Sequence, residues 1–370
     1  MSHPSLFAAW PAVYAVERRY EIIVPVVRNC VMWVSVAGKN YYDDSNGILR
    51  SGSLTHKMSV PAENLDSAGK YTVCWREVFN RKPYHSELGE VESFTVAFHP
   101  LGTDDLHIYN ISDAHSAVDA PVSAAGFFGK EPDLLILNGD IPDHSGKIEN
   151  LTVIHCIAGG VTHGAHPVIF ARGNHDLRGV YAENIADHTP TDNGRSYYTV
   201  RVGSVWAVVL DCGEDKPDDN PEYGNTICCH DFRLKQTEFL NRIAENAKDE
   251  FDAEGVRYRI VISHNPFNET LRPPFDIEKD IYTEWCSILR DKIRPDFMIA
   301  GHLHNCYVTM PGDPKDSRRQ PCPVIVGSKP LREKPFFIGT AITLKDGFAD
   351  IKFTDSEGNV TGSTVLPCIH

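Results

Sequence analysis

The sequence lacks the signatures of several common enzyme classes. It has no GxSxG elbow, no GxxxxGK[ST] phosphate loop and no GxGxxG dinucleotide fingerprint. Its ten cysteines include no CxxC pair, so neither a zinc knuckle nor a thioredoxin-like redox site is indicated. Serine-nucleophile hydrolysis, P-loop nucleotide hydrolysis and dinucleotide redox chemistry therefore find no support in the chain.

Positive charge and long apolar runs are also scarce. The chain carries 36 Lys and Arg against 50 Asp and Glu, a formal net charge of -14. Phosphate backbones reward clustered Lys and Arg, so we expect no polymeric nucleic acid as partner. No run is long enough to span a membrane, and no secretory signal is evident because Pro11 interrupts Leu6 to Val16. With no disulfide framework in the cysteine spacing, we expect a cytoplasmic protein, the alternative being a secreted one whose signal has been removed.

Against these absences stand five short segments that carry metal-ligand residues. They are Asp113-Ala114-His115, Gly139-Asp140, Gly173-Asn174-His175-Asp176, His264 and Gly301-His302-Leu303-His304. As ligands they offer two Asp, one Asn and four His. A divalent cation of borderline hardness prefers imidazole and carboxylate ligands, and ligands from several segments can hold two cations side by side. The segments therefore predict a dinuclear metal site.

Each ligand segment follows directly on a short run that is rich in Leu, Ile, Val and Phe. The runs are Leu106 to Ile111, Leu134 to Leu137, Pro167 to Ala171, Arg259 to Ser263 and Phe297 to Ala300. This pattern predicts buried strands. Gly, Asn and Asp just after a strand allow a tight turn, so each ligand is expected at the carboxyl edge of a sheet, where open α/β sheets bind their ligands.

Together, the motifs DxH, GD, GNHD, a lone His after an apolar strand, and GHxH resemble the calcineurin-like metallophosphoesterase superfamily. The resemblance spans roughly Asp105 to the C-terminus. It implies an α/β fold, the four-layer α/β/β/α sandwich, and two metal sites that share Asp140 as a bridge. The implied ligands are Asp113, His115, Asp140 and His304 for the first metal and Asp140, Asn174, His264 and His302 for the second.

Three further residues are candidates for catalysis. The family pattern gives His175 no metal, so this residue would face the substrate. Beside Asp176, its imidazole can be oriented and kept protonated, and it can then act as general acid. Arg178 can bind two phosphate oxygens at once, the alternative being a surface salt bridge. The implied reaction is in-line attack on phosphorus by a hydroxide that bridges two metals.

Purple acid phosphatases, within the same superfamily, place Tyr three residues after the bridging Asp and Gly where His115 stands. This chain has Asp143 and His115 at those positions. Without a phenolate ligand nothing demands ferric iron, and the expected cofactor is two divalent metal ions, Mn, Fe or Zn. Asp143 and His144 are either groups that orient a ligand or a metal-bound water, or ordinary turn residues after Pro142.

The chain before the first metal motif has a different residue pattern. Short alternating runs, separated by Gly, Asn, Asp and Ser, predict a small antiparallel β-sandwich. They include Glu21 to Val27, Val31 to Val36, Lys70 to Trp75 and Glu92 to Phe98. The pattern resembles the fibronectin-like module that precedes the catalytic domain in purple acid phosphatase-like enzymes. We therefore predict an N-terminal β-sandwich domain over residues 1–101 and a catalytic domain over residues 102–370, whose last β-runs extend the second sheet.

The functional interpretation is a metal-dependent phosphoric ester hydrolase for small phosphate esters, with no membrane partner. Phosphatase and phosphodiesterase chemistry use the same metals, so monoesters and diesters of nucleotides, lipid or sugar head groups stay open. The loops Glu214 to Cys229 and Asn268 to Asp280 are candidates for the pocket walls. The alternative class is a catalytically inactive phosphate-binding or scaffold protein, which lost ligands would mark. The N-terminal domain is a brace, a subunit contact in a homo-oligomer, or a binding module.

Overall fold

The structure, a computed structural model, describes residues 2–331 and 336–370. Its N-terminal part consists of short strands with one helix. They are β1 (Ala12–Val16), β2 (Arg19–Pro25), β3 (Cys30–Val36), β4 (Lys39–Tyr42), β5 (Asp44–Ser45), β6 (Ile48–Leu49), β7 (Thr55–Pro61), α1 (Ala62–Ala68), β8 (Lys70–Arg81), β9 (Ser86–Leu88) and β10 (Glu92–Ala97).

The remaining chain alternates strands with helices and ends in strands. The strands are β11 (Leu106–Ile111), β12 (Leu134–Asn138), β13 (Pro167–Ala171), β14 (Tyr198–Val202), β15 (Val205–Leu210), β16 (Tyr258–Ser263), β17 (Phe297–Ala300), β18 (Tyr307–Thr309), β19 (Val324–Val326), β20 (Lys329–Leu331), β21 (Phe336–Lys345), β22 (Phe348–Asp355) and β23 (Val360–Pro367). The α-helices are α2 (Asp119–Ala125), α3 (Ile148–Thr162), α4 (Cys229–Glu245) and α5 (Lys279–Ile288). Shorter 3₁₀ or π-helical segments are Gly126–Phe128, His175–Leu177, Val180–Asp187, Pro221–Tyr223 and Leu289–Ile293.

The N-terminal strands form a β-sandwich, as the sequence predicted. One layer contains β1, β2 and β7, and the other contains β10, β8, β3 and β4 in that order. Along β3 every second residue is buried, from Cys30 to Val36, because one face of the strand covers the sandwich interior. The predicted β-sandwich in this part of the chain is therefore confirmed, with the short helix α1 between β7 and β8.

The first layer of the sandwich also continues into the catalytic part. Strand β1 pairs in parallel with β13, with Val13 opposite Pro167 and Tyr14 opposite Val168. The result is a ten-stranded sheet in the order β23-β22-β21-β11-β12-β13-β1-β2-β7, with β20 beside β21. All five residues of β1 are buried because the strand lies inside this sheet rather than at an edge. The division into domains 1–101 and 102–370 stays a prediction, and the two parts share one sheet.

The catalytic part has the expected four layers. Helices α2 and α3 pack on one face of the ten-stranded sheet. The other face packs on a six-stranded sheet, in the order β14-β15-β16-β17-β19-β18, which α4 and α5 cover on its outer side. The core between the sheets is continuous with the sandwich interior, since it includes Met32 and Tyr71 together with Ile136 and Ile262. The α/β/β/α sandwich is confirmed.

The C-terminal strands differ from the expectation that they extend the second sheet. Among the described strands after His304, β18 and β19 extend the six-stranded sheet, whereas β21 pairs antiparallel with β11 and β22 pairs with β21. This placement covers the edge of β11, which would otherwise expose a row of unpaired backbone groups. The sequence also predicts helices over Ser145 to Gly160 and Asp231 to Asp249, and these are α3 and α4 with ends shifted by a few residues.

Two general features bear on the cellular setting. Within residues 2–331 and 336–370, no helix is long and apolar enough to cross a membrane. All ten cysteines are unpaired.

Because the β1 to β13 ladder and the shared core connect both parts of the chain, we predict that the metal-free protein unfolds in one cooperative transition. Differential scanning calorimetry should give a single peak, with equal calorimetric and van't Hoff enthalpies. Two separate peaks, the first of which is lost in a fragment of residues 102–370, would show instead that the sandwich is an independent unit.

Candidate metal centre

The predicted ligands meet at the carboxyl ends of two sets of parallel strands. Asp113, Asp140 and Asn174 follow β11, β12 and β13, which run parallel in the ten-stranded sheet. His264 and His302 follow β16 and β17, which run parallel in the six-stranded sheet. Parallel strands end at a common edge, so both sheets contribute ligands where these edges face each other.

A first group of ligands consists of Asp113, His115 and His304, whose ligand atoms all lie within 4.8 Å of one another. The Nε2 atoms of His115 and His304 are 2.9 Å apart, and His304 Nε2 lies 3.4 Å from Asp113 Oδ1. Two facing ring nitrogens can share one proton, whereas a cation accepts a lone pair from each of them. This group fits one metal ion.

A second group consists of Asp140, His264 and His302. His264 Nδ1 donates to the backbone oxygen of Asn138 at 2.7 Å, which leaves Nε2 directed at Asp140, 3.2 Å from Oδ2. This buried Nε2 has no hydrogen-bond partner among the described residues. Asn174 Oδ1 lies 3.1 Å from His302 Nδ1 and adds an oxygen ligand. An orphaned imidazole nitrogen beside a carboxylate and an amide oxygen fits coordination of a second cation.

The charges of the site favour cations as well. Asp113 and Asp140 are buried, and their ion-pair partners within the described residues are histidines only. Burial would raise the pKa of Asp140, but His264 and His175 hold it below its usual range. Burial would lower the pKa of His264, but Asp140 and Asp113 raise it to about 10. Burial and His264 lower the pKa of His302 to about 4. Buried carboxylates beside a neutral imidazole are a ligand set for divalent cations.

Most of the ligand residues have a left-handed backbone conformation. The φ angles are 55° at Asp113, 45° at His115, 51° at Asp140, 67° at His302 and 47° at His304. Such a conformation costs about 1–3 kcal/mol per residue and persists only where the surrounding structure enforces it. The loops enforce it on each other, because Asp113 N–H donates to the Gly139 oxygen and His115 N–H donates to the Asp140 oxygen.

Two glycines beside the ligands have no room for a side chain. A Cβ at Gly139 would lie 2.5 Å from the His264 ring, and one at Gly173 would overlap the backbone nitrogen and Oδ1 of Asp140. The Gly of the GD motif and the Gly of the GNHD motif are therefore required by the close approach of the ligand loops.

His175 lies at the same site and is held by hydrogen bonds on three sides. Its backbone N–H donates to Asp140 Oδ1 at 2.8 Å. Its ring Nδ1 is 2.8 Å from the backbone oxygen of Asp143, and its Nε2 is 3.1 Å from Arg178 Nη1. A carbonyl oxygen can only accept and a guanidinium can only donate, so these contacts assign the neutral tautomer with the proton on Nδ1.

Asp176 holds two ligand loops together. Its Oδ2 accepts from the backbone N–H of Gly173 at 2.6 Å and from that of Asp140 at 3.0 Å. Burial and the nearby Asp140 carboxylate raise the pKa of Asp176 to about 7. Contrary to the expectation from the sequence, this carboxylate does not orient the His175 ring, which is bonded to Asp143 instead. Successive residues of the His175–Leu177 3₁₀ turn point in different directions, so the carboxylate lies beneath the turn.

Arg178 is bound by acidic side chains. Its Nε and Nη2 donate to the two carboxylate oxygens of Glu214, both at 3.0 Å, and Nη2 also lies 3.3 Å from Asp215 Oδ1. The two-pronged edge that was expected to bind phosphate therefore binds Glu214. The surface salt-bridge alternative does not describe the contact either, because Glu214 is buried.

The two loops predicted to form pocket walls approach each other near the site. Lys216 Nζ in the first loop lies 5.3 Å from the centre of the Phe275 ring in the second. Asp215 in the first loop lies 3.3 Å from Arg178 Nη2, and Nη1 of the same guanidinium contacts His175, so this loop borders the site.

Sequence reasoning named the first loop as a pocket wall but did not single out Glu214 or Asp215. A signal was present, because the buried run Val205–Leu210 is followed by Asp211-Cys212-Gly213-Glu214. The predicted metal ligands likewise stand in polar turns that directly follow buried strands.

Comparison with known proteins gives a consistent result. A family model for calcineurin-like phosphoesterases matches residues 106–306 of the chain, a range that contains all of the predicted metal ligands. None of the curated protein sequences matches the chain significantly.

Two solved structures resemble nearly the whole chain. The purple acid phosphatase PPD1 from yellow lupin (Lupinus luteus) seeds aligns with 97% of this chain and 74% of its own, with a TM-score of 0.61 and 12% sequence identity. The structure of PhoD aligns with 99% of this chain and 90% of its own, with a TM-score of 0.54 and 12% identity. At this identity the likeness is one of fold, and it includes the N-terminal sandwich.

We predict that Gly173→Ala weakens metal binding, because the added Cβ would overlap the backbone nitrogen of Asp140 and displace that ligand. Elemental analysis after dialysis should find less metal than in the wild type, and the Tm should fall, since overpacking costs about 1–3 kcal/mol. Gly126→Ala is the matched control, because a Cβ there meets nothing within 4 Å. Wild-type metal content in the Gly173 variant would contradict the assignment of Asp140 as a ligand.

Proposed function

This chain belongs to the calcineurin-like phosphoesterase family and is a metal-dependent phosphoric ester hydrolase, and from that premise we propose that it hydrolyses small phosphate esters with two divalent cations. The observation that carries the proposal is the adjacency of the two ligand groups. His264 Nε2 lies 3.2 Å from Asp140 in its own group and 3.8 Å from Asp113 in the other. These groups would hold one cation each, and the family resemblance implies that Asp140 would be shared between them.

The alternative of an inactive scaffold protein finds less support. An inactive relative of such an enzyme would be expected to lack ligands, whereas all of the predicted ligand residues are present and converge. The left-handed backbone of five of them would be an unexplained cost in a protein that binds no metal.

When bound, the cations supply Lewis-acid stabilisation of the phosphoryl oxygens and lower the pKa of the attacking water. The residues of the chain then position the substrate and assist the leaving group. We assign the leaving group to the side of His175 that carries Nε2, because Nδ1 is bonded to the backbone oxygen of Asp143. On this assignment His175 acts as the general acid after Nε2 has taken up a proton from solvent, which gives the imidazolium form.

Arg178 affects this step because its Nη1 occupies the same Nε2 atom of His175 at 3.1 Å. Before His175 can protonate a leaving oxygen, Nε2 has to take up a proton from solvent and therefore stops accepting from Nη1, whose N–H then donates to a non-bridging phosphoryl oxygen. Arg178 then makes one contact to the phosphoryl group rather than two, since Glu214 retains its other edge.

This single contact favours a phosphodiesterase as a second candidate function. A monoester dianion gains more from a two-pronged guanidinium contact than a diester monoanion does. Arg178 has only Nη1 outside its contact with Glu214, so it offers the phosphoryl group one donor nitrogen. Nucleotide, lipid or sugar head groups remain open as the ester. The net charge of -14 argues against polymeric nucleic acid as substrate.

We also propose Mn, Fe or Zn as the cations, because His and carboxylate ligands suit all three. A cytoplasmic location agrees with ten unpaired cysteines, which a reducing compartment preserves. We also propose that the N-terminal sandwich is a contact in a homo-oligomer and that the protein has no membrane partner.

The proposed function is tested by stripping the protein of metal, reconstituting it with each divalent ion, and screening phosphomonoesters, phosphodiesters and nucleotides. Asp140→Asn should lose metal or nearly all turnover, since a neutral amide cannot replace the charge between two cations. Circular dichroism serves to show that the variant is folded. A wild-type protein that binds two metals tightly and hydrolyses none of these esters would favour the scaffold alternative.

We predict that His175→Ala keeps its metals and lowers kcat most for esters whose leaving alcohol has a high pKa. An aryl ester with an activated leaving group needs less protonation, so its kcat should fall less. Steady-state kinetics on a matched series of alkyl and aryl esters measures the difference. An equal loss across the series would show that His175 is not the general acid.

A further inference from the structure

The contact between Arg178 and Glu214 is a two-pronged ion pair in which the carboxylate is buried and the guanidinium partly exposed. Both guanidinium atoms Nε and Nη2 donate to Glu214 at 3.0 Å, and the Glu214 side chain is 2% exposed. A fork of this geometry fixes the plane of the guanidinium as well as its position. The direction of the third nitrogen, Nη1, is therefore set by Glu214.

Glu214 is itself held from several sides. The Tyr223 hydroxyl oxygen lies 3.0 Å from both Glu214 Oε2 and Asp215 Oδ1, and its single proton is shared between these two carboxylates. Buried Arg233 donates from Nη2 to the Glu214 backbone oxygen at 2.6 Å and from Nε to the Cys212 oxygen at 2.7 Å. With side chain and backbone both bonded, Glu214 is a rigid support rather than a mobile surface acid.

The charges around this support are balanced locally. Glu214 and Asp215 carry two negative charges, Arg178 one positive charge, and Lys216 Nζ lies 3.0 Å from Asp215 Oδ1. Because each carboxylate has its own cation, Arg178 has no electrostatic reason to leave Glu214 when an anionic substrate arrives.

From this geometry we propose that Glu214 is a positioning residue for catalysis: by holding Arg178 through Nε and Nη2, it directs Nη1 at Nε2 of His175 and so holds the imidazole at the leaving-group side of the metal centre. The inference rests on the proposed function. It differs from a substrate-binding role, in which Arg178 would present two donors to phosphate.

The proposal predicts different effects of a Glu214 substitution on kcat and on KM. If Glu214 positions His175 through Arg178, Glu214→Gln should lower kcat by roughly tenfold, the worth of one charge-assisted hydrogen bond. KM should stay within about twofold, because little ground-state binding is removed. If Arg178 instead binds phosphate as a fork, the loss should fall mainly on KM.

A double-mutant cycle with Arg178→Ala decides whether Glu214 acts through Arg178. Once Arg178 is absent, the added Glu214→Gln change should lower kcat no further. Independent, multiplying losses would overturn the proposal. Glu21→Gln is the matched control, because Glu21 is also a buried acid paired with cations, Arg19 and Lys57, but it lies in the N-terminal sandwich. Its kinetic constants should equal those of the wild type.

A readout without metal or substrate tests the same contact. Long-range proton–nitrogen spectra of metal-free protein with isotope-labelled histidine should show His175 protonated on Nδ1 and not on Nε2, the signal being assigned by its loss in His175→Asn. In Glu214→Gln the ring should shift towards a mixture of tautomers, since Nη1 is no longer directed at Nε2. An unchanged spectrum would contradict the proposal.

Two outcomes keep the inference separate from the proposed function. If the reconstituted wild type hydrolyses no phosphate ester, the proposed function fails, and the tautomer spectra still decide the contact. If the wild type is active but the cycle is multiplicative, only the positioning role fails. Should Glu214→Gln not fold, Tyr223→Phe removes one donor to the same carboxylate and should give a smaller loss confined to kcat. A loss confined to KM in that variant would also count against the proposal.

Discussion

The burial of two carboxylates, Asp113 and Asp140, without a Lys or Arg partner among the described residues is the constraint on which the rest of the site depends. A buried charge is tolerated only when it is paired or coordinates a cation. Here the neighbouring groups are imidazoles, and their nitrogen atoms face the carboxylates and each other. The strained turns and the glycines that cannot carry a Cβ follow from the need to bring these groups together from separate strands.

Strained turns need a rigid support, and the ten-stranded sheet supplies it. Strands β11, β12 and β13, which carry Asp113, Asp140 and Asn174, lie in the middle of that sheet, with β21 on one side and β1 on the other. Since β1 belongs to the N-terminal sandwich, this part of the chain fixes the edge of the strand that precedes Asn174. The sandwich is thus part of the structure that positions the site, whatever further role it has.

The sequence predicted those features that a short stretch of residues encodes by itself. Each ligand run is apolar, ends in a turn residue and is buried, so the five strands and their shared edge could be expected from the order of residues alone. The pairing of β1 with β13 has no such signal, because Val13 and Pro167 are far apart in the chain and both strands are uniformly apolar. The partner of Arg178 was missed for the same reason. A guanidinium donates to phosphate and to carboxylate oxygens equally well, and only the fold places Glu214 within its reach.

The orientation of His175 depends on both sheets at once. Its Nδ1 is bonded to the backbone oxygen of Asp143, which follows β12 of the ten-stranded sheet. Its Nε2 is bonded to Arg178, and Arg178 is held by Glu214, which follows β15 of the six-stranded sheet. The metal ligands are divided between the same two sheets. A shift of one sheet against the other would therefore pull apart the residues of each ligand group and, at the same time, turn the imidazole of His175. On the proposed mechanism, metal binding and contact with the leaving group would therefore be coupled by geometry, although His175 is not itself assigned as a ligand.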